Sequence, residues 1–128
     1  MIVSTKTRYG GFAKSVGLGV LTTPHGLGYA KVIIVVDADV DPFNLNQVMW
    51  AISVRANPGG DVVIVPNLAE NLLDPAGQPN GMAHKMIIDA TTPIAPDRRG
   101  DYGMVLDMPE STDAWRNKLE ILLADLRK

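Results

Sequence analysis

Cysteine is absent from the 128 residues. That excludes disulfides and thiolate chemistry, and it fits a reducing compartment. No charge of one sign dominates: the formal net charge is -2, so nothing points to a nucleic-acid partner. No apolar run approaches the roughly 20 residues that a membrane span needs. Met1 leads straight into Ile2-Val3-Ser4, without the architecture of a signal peptide. Internal repeats and low-complexity tracts are lacking too. With 46% hydrophobic residues the chain can bury a core, and its length suits a single domain over 1–128. The expectation is a soluble, cytoplasmic domain without membrane or nucleic-acid contacts.

What is present centres on Lys31 to Pro66. Val32 to Val36 are five consecutive β-branched residues. A strand with no polar face must be covered on both sides, which marks a central strand of an α/β sheet. Leu45, Val48, Met49 and Ile52 follow with the spacing of one helix face, and Asn44 with Gln47 resembles a capping box. A second apolar run, Val62 to Val65, is expected to close a β-α-β unit. The fold class is therefore α/β: a three-layer α-β-α sandwich around a mostly parallel sheet of about four strands, with an apolar C-terminal helix.

The remaining chain supplies the other elements. Residues 1–6 read as a strand that begins at the first residue, which suggests that a natural chain continued upstream. Phe12, Val16 and Val20 place a helix over 11–21, weakened by Gly17 and Gly19 by roughly 1 kcal/mol each. Pro24 to Gly28 reads as a loop. Residues 67–83, rich in Asn, Gly and Pro, read as a long surface loop of functional type. Lys85 to Thr91 is a fourth strand, and Thr92 to Pro109 an extended arm. Ser111 is a candidate N-cap. Trp115, Leu119, Leu122 and Leu126 form a stripe that must dock on the domain's own sheet or on a neighbouring subunit.

Asp37, Asp39 and Asp41 follow the central strand. An EF-hand loop from Asp37 fails, because Pro42 and Val48 stand where Gly and Glu are required. Asp37-Ala38-Asp39-Val40 matches the Asp-x-Asp-x-Val of haloacid-dehalogenase phosphatases, where the first Asp is the nucleophile and the second the general acid. A small Mg²⁺-dependent phosphatase using Asp37 and Asp39 is thus the alternative function, although no later paired-acid motif accompanies it. The bland reading makes these acids caps and turn formers. His25 and His84 lack metal-ligand spacing. The serines lack a nucleophile elbow. Gly26-Leu-Gly28 is too short for a dinucleotide fingerprint. Arg55 suits either an anion or the dipole of its helix.

Four ordered blocks carry a more specific signal: Val35-Val-Asp-Ala-Asp-Val-Asp-Pro-Phe43, Val48-Met-Trp-Ala-Ile-Ser-Val-Arg55, Leu73-Asp-Pro75 and Ile88-Asp-Ala-Thr-Thr-Pro93. Together they resemble the C-terminal region of UbiD-type decarboxylases. The opening Ser4 to Lys14 and Thr22 to Gly28 look most like the large C subunit of bacterial vanillate and 4-hydroxybenzoate decarboxylases. The resemblance spans essentially the whole chain.

It implies a lyase that removes CO₂ non-oxidatively and reversibly from small aromatic acids. The implied cofactors of the full-length family are prenylated FMN, Mn²⁺ and K⁺, with a flavin prenyltransferase supplying the flavin. The family's cofactor pocket, metal ligands and catalytic residues lie in a preceding split-barrel region whose motifs are missing here. The resemblance therefore implies no catalytic, cofactor-binding or metal residue in this chain, and it suggests a fragment or truncated product that is inactive alone. What it does imply is a wall of the substrate cleft, from Leu27, Asn71 and Leu73, and subunit contacts in a homo-oligomer. Some relatives place a lysine near the cofactor phosphate where this chain has Pro24, beside His25. Under this reading Asp37, Asp39, Asp41 and Asp74 become structural.

Overall fold

A computed structural model describes residues 1–77, 81–95, 103–104 and 111–126. Four strands, β1 (Ile2–Thr5), β2 (Val32–Asp37), β3 (Val62–Ala69) and β4 (Met82–Ala90), form one sheet in the order β1-β2-β4-β3. β2 runs parallel to β1 and to β4, while β3 is antiparallel to β4. The sheet is mostly parallel, as expected. Val62–Val65 does not close the β-α-β unit, however; β4 does. β3 is an edge strand, with Ile64 open to solvent. Pro66, which cannot donate to a ladder, is tolerated there. The register shifts between Val65 and Leu68, where Asn67 takes a positive φ of 57°.

The apolar run Val32 to Val36 of β2 divides its side chains between two layers. Ile33 and Val35 join Ala13, Leu21, Ala30 and Ile87 in one core, under α1 (Phe12–Leu21) and α2 (Pro24–Tyr29). Val36 joins Val40, Val48, Ala51 and Ala90 in a second, under α3 (Leu45–Arg55). The sheet is thus sandwiched between helical layers.

Several local expectations change. Pro24 to Gly28 is a helix and not a loop. Thr23 caps it by accepting from the Gly26 amide at 3.0 Å, and Pro24 fills the first turn, where its missing N–H costs nothing. In α1 the buried line is Ala13, Gly17 and Leu21, one position on from Phe12, Val16 and Val20. Gly17 serves close packing: a Cβ there would lie 2.5 Å from Cγ2 of Ile87. In α3 the buried residues are Val48, Ala51 and Arg55, while Leu45 and Met49 are exposed. Asn44 accepts from the amides of Asn46 and Gln47. The Gln47 side chain accepts from Asp41 instead of closing the box on Asn44.

A short helix, α4 (Pro58–Asp61), leads into β3. β3 runs on to Ala69 and β4 begins at Met82, so the long loop shrinks to 70–81, of which 78–80 lie outside the described residues. Most of the 92–109 arm lies outside them too. α5 (Ser111–Leu126) takes Ser111 as its first residue. No residue of α5 is buried, and Trp115 and Leu126 are 63% and 82% exposed, so of the two expected partners, its own sheet or a neighbouring subunit, the first is not seen among the described residues.

Candidate functional site

The two groups singled out by sequence lie at opposite ends of the sheet. The aspartates follow the carboxyl end of β2. The three implied wall residues gather at the amino ends of β2 and β4: α2 stops just before β2, and the β3–β4 connection starts where Ala69 pairs with Met82.

At the carboxyl end every aspartate is committed. Oδ1 of Asp37 accepts from the amide and hydroxyl of Thr7, and Oδ2 accepts from the Thr92 amide at 2.6 Å. Burial pushes the Asp37 carboxyl up, but the hydrogen bonds from Thr7 and Thr92 outweigh it and leave the pKa lowered. Asp39 forms a fork with Arg55, at 3.0 Å from Nη1 and 2.6 Å from Nη2. Asp41 accepts from the Phe43 amide at 2.9 Å. A phosphatase nucleophile needs an uncommitted carboxylate oxygen facing its substrate. Asp37 offers none, so the phosphatase alternative is unsupported. Among the described residues no three His, Cys, Asp or Glu side chains converge as a metal site.

Arg55 is engaged within the domain. Its buried guanidinium holds Asp39, donates from Nε to the Gly103 carbonyl at 2.8 Å, and stacks 4.9 Å from the Trp50 ring. His84 accepts from the Asn67 amide at 3.3 Å, and His25 lies against Tyr29.

The amino-end group is built on α2 and on residues 70–74. Leu27 and Asn71 are half-buried, and Leu73 is 87% exposed. The Asn71 amide donates to the Gly28 carbonyl at 3.1 Å, tying the two segments together. Asn71 Oδ1 in turn accepts from the Leu73 amide at 3.0 Å, which shapes the turn that presents Leu72 and Leu73 outward. Asp74 is paired with Lys31, and this contact, with the Ala76 amide, holds its carboxyl below the ordinary range. Asp74 therefore anchors the loop. Gly26 is required in α2, because a Cβ there would lie 1.8 Å from the Val20 carbonyl oxygen.

Beneath this rim is a residue that sequence reasoning passed over. Lys85 on β4 is fully buried. Its ammonium donates to the Leu27 carbonyl, reaches the Gly26 carbonyl at 3.4 Å, and lies 3.3 Å from Oε2 of Glu70. Glu70, its side chain 3% exposed, accepts from the Asn71 amide through its other oxygen. The signal was available: Lys85 falls in phase with Ala83 and Ile87 on the covered face of β4.

Among the described residues, neither end fits the cofactors that the resemblance implies. The acids are spent on amides and on Arg55. Pro24 carries no charge, and the Thr23 hydroxyl is engaged with Gly26.

Residues 1–90 match the model of the 3-octaprenyl-4-hydroxybenzoate carboxy-lyase C-terminal domain. A phenolic acid decarboxylase of Bacillus subtilis is 62% identical over 122 residues, 95% of this chain but 26% of that protein. The vanillic acid decarboxylase of Sedimentibacter hydroxybenzoicus in its closed form superposes with a TM-score of 0.80 at 53% identity, again over 95% of this chain and 26% of that one. A UbiD-class enzyme from Pelotomaculum thermopropionicum, HmfF, solved with FMN, superposes at 0.75 with 30% identity over 88% of this chain and 24% of that one. The chain thus spans about a quarter of the length of these relatives. With 90 of its 128 residues inside the family model, and with its Asp37-Ala-Asp-Val-Asp block serving as strand-end structure, the chain belongs to the UbiD-type carboxy-lyase C-terminal domain family.

Proposed function

We propose that this chain is the C-terminal domain of a reversible, non-oxidative decarboxylase of hydroxyaryl acids of the 4-hydroxybenzoate and vanillate type, working in the cytoplasm. The observation that carries this is the 62% identity across 95% of the chain to one quarter of a phenolic acid decarboxylase. In the complete enzyme, prenylated FMN would accept the electron pair left when CO₂ departs. That flavin, delivered by a prenyltransferase, and its Mn²⁺ and K⁺ would be held outside this domain, whose strand-end acids Asp37 and Asp39 are engaged with Thr7, Thr92 and Arg55.

The domain's contribution is to bind and exclude water. Leu27, Asn71 and Leu73 form one wall of the substrate cleft. The tie between Asn71 and Gly28 supports this, because it makes one surface of two segments far apart in sequence. An exposed leucine pair beside a polar turn suits the apolar ring of an aromatic acid. The open apolar residues of α5 supply subunit contacts in a homo-oligomer.

The test is turnover with and without the remaining three quarters. The chain alone, supplied with prenylated FMN, should release no CO₂ from 4-hydroxybenzoate or vanillate. A chimera in which it replaces the matching quarter of the B. subtilis enzyme should release CO₂. Turnover by the chain alone, or a folded chimera that is inert, refutes the proposal.

A further inference from the structure

We infer that Lys85, with Glu70, is a positioning residue for the substrate cleft: its buried ammonium sets the α2 turn against the start of the β3–β4 connection. The inference rests on the cleft-wall reading and goes beyond it, since both side chains are buried beneath the surface at which a substrate would bind.

The geometry is that of a three-way junction. One ammonium serves the Leu27 carbonyl, the Gly26 carbonyl and the Glu70 carboxylate, all from beneath. Leu27 and Glu70 flank the two segments that Asn71 and Gly28 join above. Glu70 passes the constraint on through the Asn71 amide, and Asn71 passes it to Leu73. The position of each implied wall residue therefore leads back to Lys85 through at most a few hydrogen bonds.

Stability does not explain the pair. Removing an ammonium and a carboxylate from water is costly, and well-packed apolar residues of similar size commonly do as well or better. Here the compensation is incomplete: among the described residues Oε2 of Glu70 accepts no hydrogen bond, and the Lys85 ammonium lies beside it at 3.3 Å. An apolar pair could fill the space between β4 and α2. It could not fix the direction of the Leu27 carbonyl, because hydrophobic contact is not directional and a hydrogen bond is.

The experiment uses the chimera described above. Lys85→Met alone would strand the Glu70 charge and could prevent folding, so the informative variant is Lys85→Met with Glu70→Leu. It should melt within a few degrees of the parent. Its KM for vanillate should rise about tenfold while kcat stays within about twofold, the pattern of lost substrate binding with the chemistry intact. In the 128-residue chain alone, the same double variant should speed hydrogen exchange at the Asn71 amide by about tenfold. Leu73→Ala serves as a control for the wall itself and should also raise KM. If the double variant leaves KM unchanged while Leu73→Ala raises it, the wall stands and the role of Lys85 is overturned. If neither raises KM, the wall reading fails and the inference falls with it. Unaltered exchange at Asn71 overturns the inference without any recourse to activity.

Discussion

Replacing Asp37 by Asn should unfasten the carboxyl end of the sheet. Asp37 ends β2 and clamps the segments that follow β1 and β4, through Thr7 and Thr92. An amide has one acceptor where the carboxylate has two, so its NH₂ group must face an N–H of Thr7 or Thr92. Hydrogen bonds to a charged acceptor contribute about 1.5–3 kcal/mol each. With one such bond lost outright, one weakened, and solvent screening at this half-buried site, the expected cost is about 2–3 kcal/mol at neutral pH. For a chain of this size that corresponds to a melting temperature lower by about 10 °C.

The pH dependence carries a sign. The folded-state pKa of Asp37 is lowered, so its stabilisation is fully present above the unfolded value of about 3.9 and is lost as pH falls through the lower folded value. Urea denaturation of both proteins at pH 7, 5 and 3 measures this. The gap between parent and variant should be constant from pH 7 to 5 and narrow below about pH 4. A gap below about 0.5 kcal/mol at pH 7, within the range of an ordinary surface substitution, would refute the clamp. So would a gap that widens in acid.

Arg55→Lys should cost about 2 kcal/mol in the same assay, because a lysine cannot reproduce the fork to Asp39 together with the bond to Gly103. A cycle with Asp39→Asn should show that the two positions are coupled. Gly26→Ala places a methyl 1.8 Å from a backbone oxygen; it should lower the melting temperature by more than about 10 °C or prevent folding, and a well-folded variant would contradict the course of α2. Gly17→Ala should destabilise in spite of the better helix propensity of alanine, since Ile87 already occupies the space; a more stable variant in thermal melts would contradict that packing. Asn44→Ala should cost about 1 kcal/mol through the lost cap of α3, and no change in urea midpoint would argue against it.

Much of the site was legible one residue at a time. The run from Val32 to Val36 required cover on both faces, and two cores are found there. The bland reading of the strand-end acids as caps and turn formers holds for Asp41 only, beside the Asn44 cap; Asp37 clamps Thr7 and Thr92 and Asp39 forms a fork with Arg55, contacts that no local pattern announces. The misses share a cause. Pro24 to Gly28 reads as a loop because proline and two glycines break a helix interior, yet the Thr23 cap makes Pro24 the first residue of α2. Leu45 and Met49 fit a helical stripe, but the stripe that packs is set by where the sheet lies, and it passes through Ala51 and Arg55.

Periodicity, caps and the four ordered blocks were enough to determine the class of fold, the positions of most elements and the family, because each depends on neighbours within about a dozen residues or on the order of such groups. Tertiary structure alone decided that β4 sits between β2 and β3, that Lys85 lies under both Leu27 and Glu70, and that the carboxylates after β2 are used up. Those facts depend on contacts such as Asp37 with Thr7 and Thr92 and Lys85 with Gly26, 30, 55 and 59 positions apart, and such contacts are chosen by the packing of whole layers.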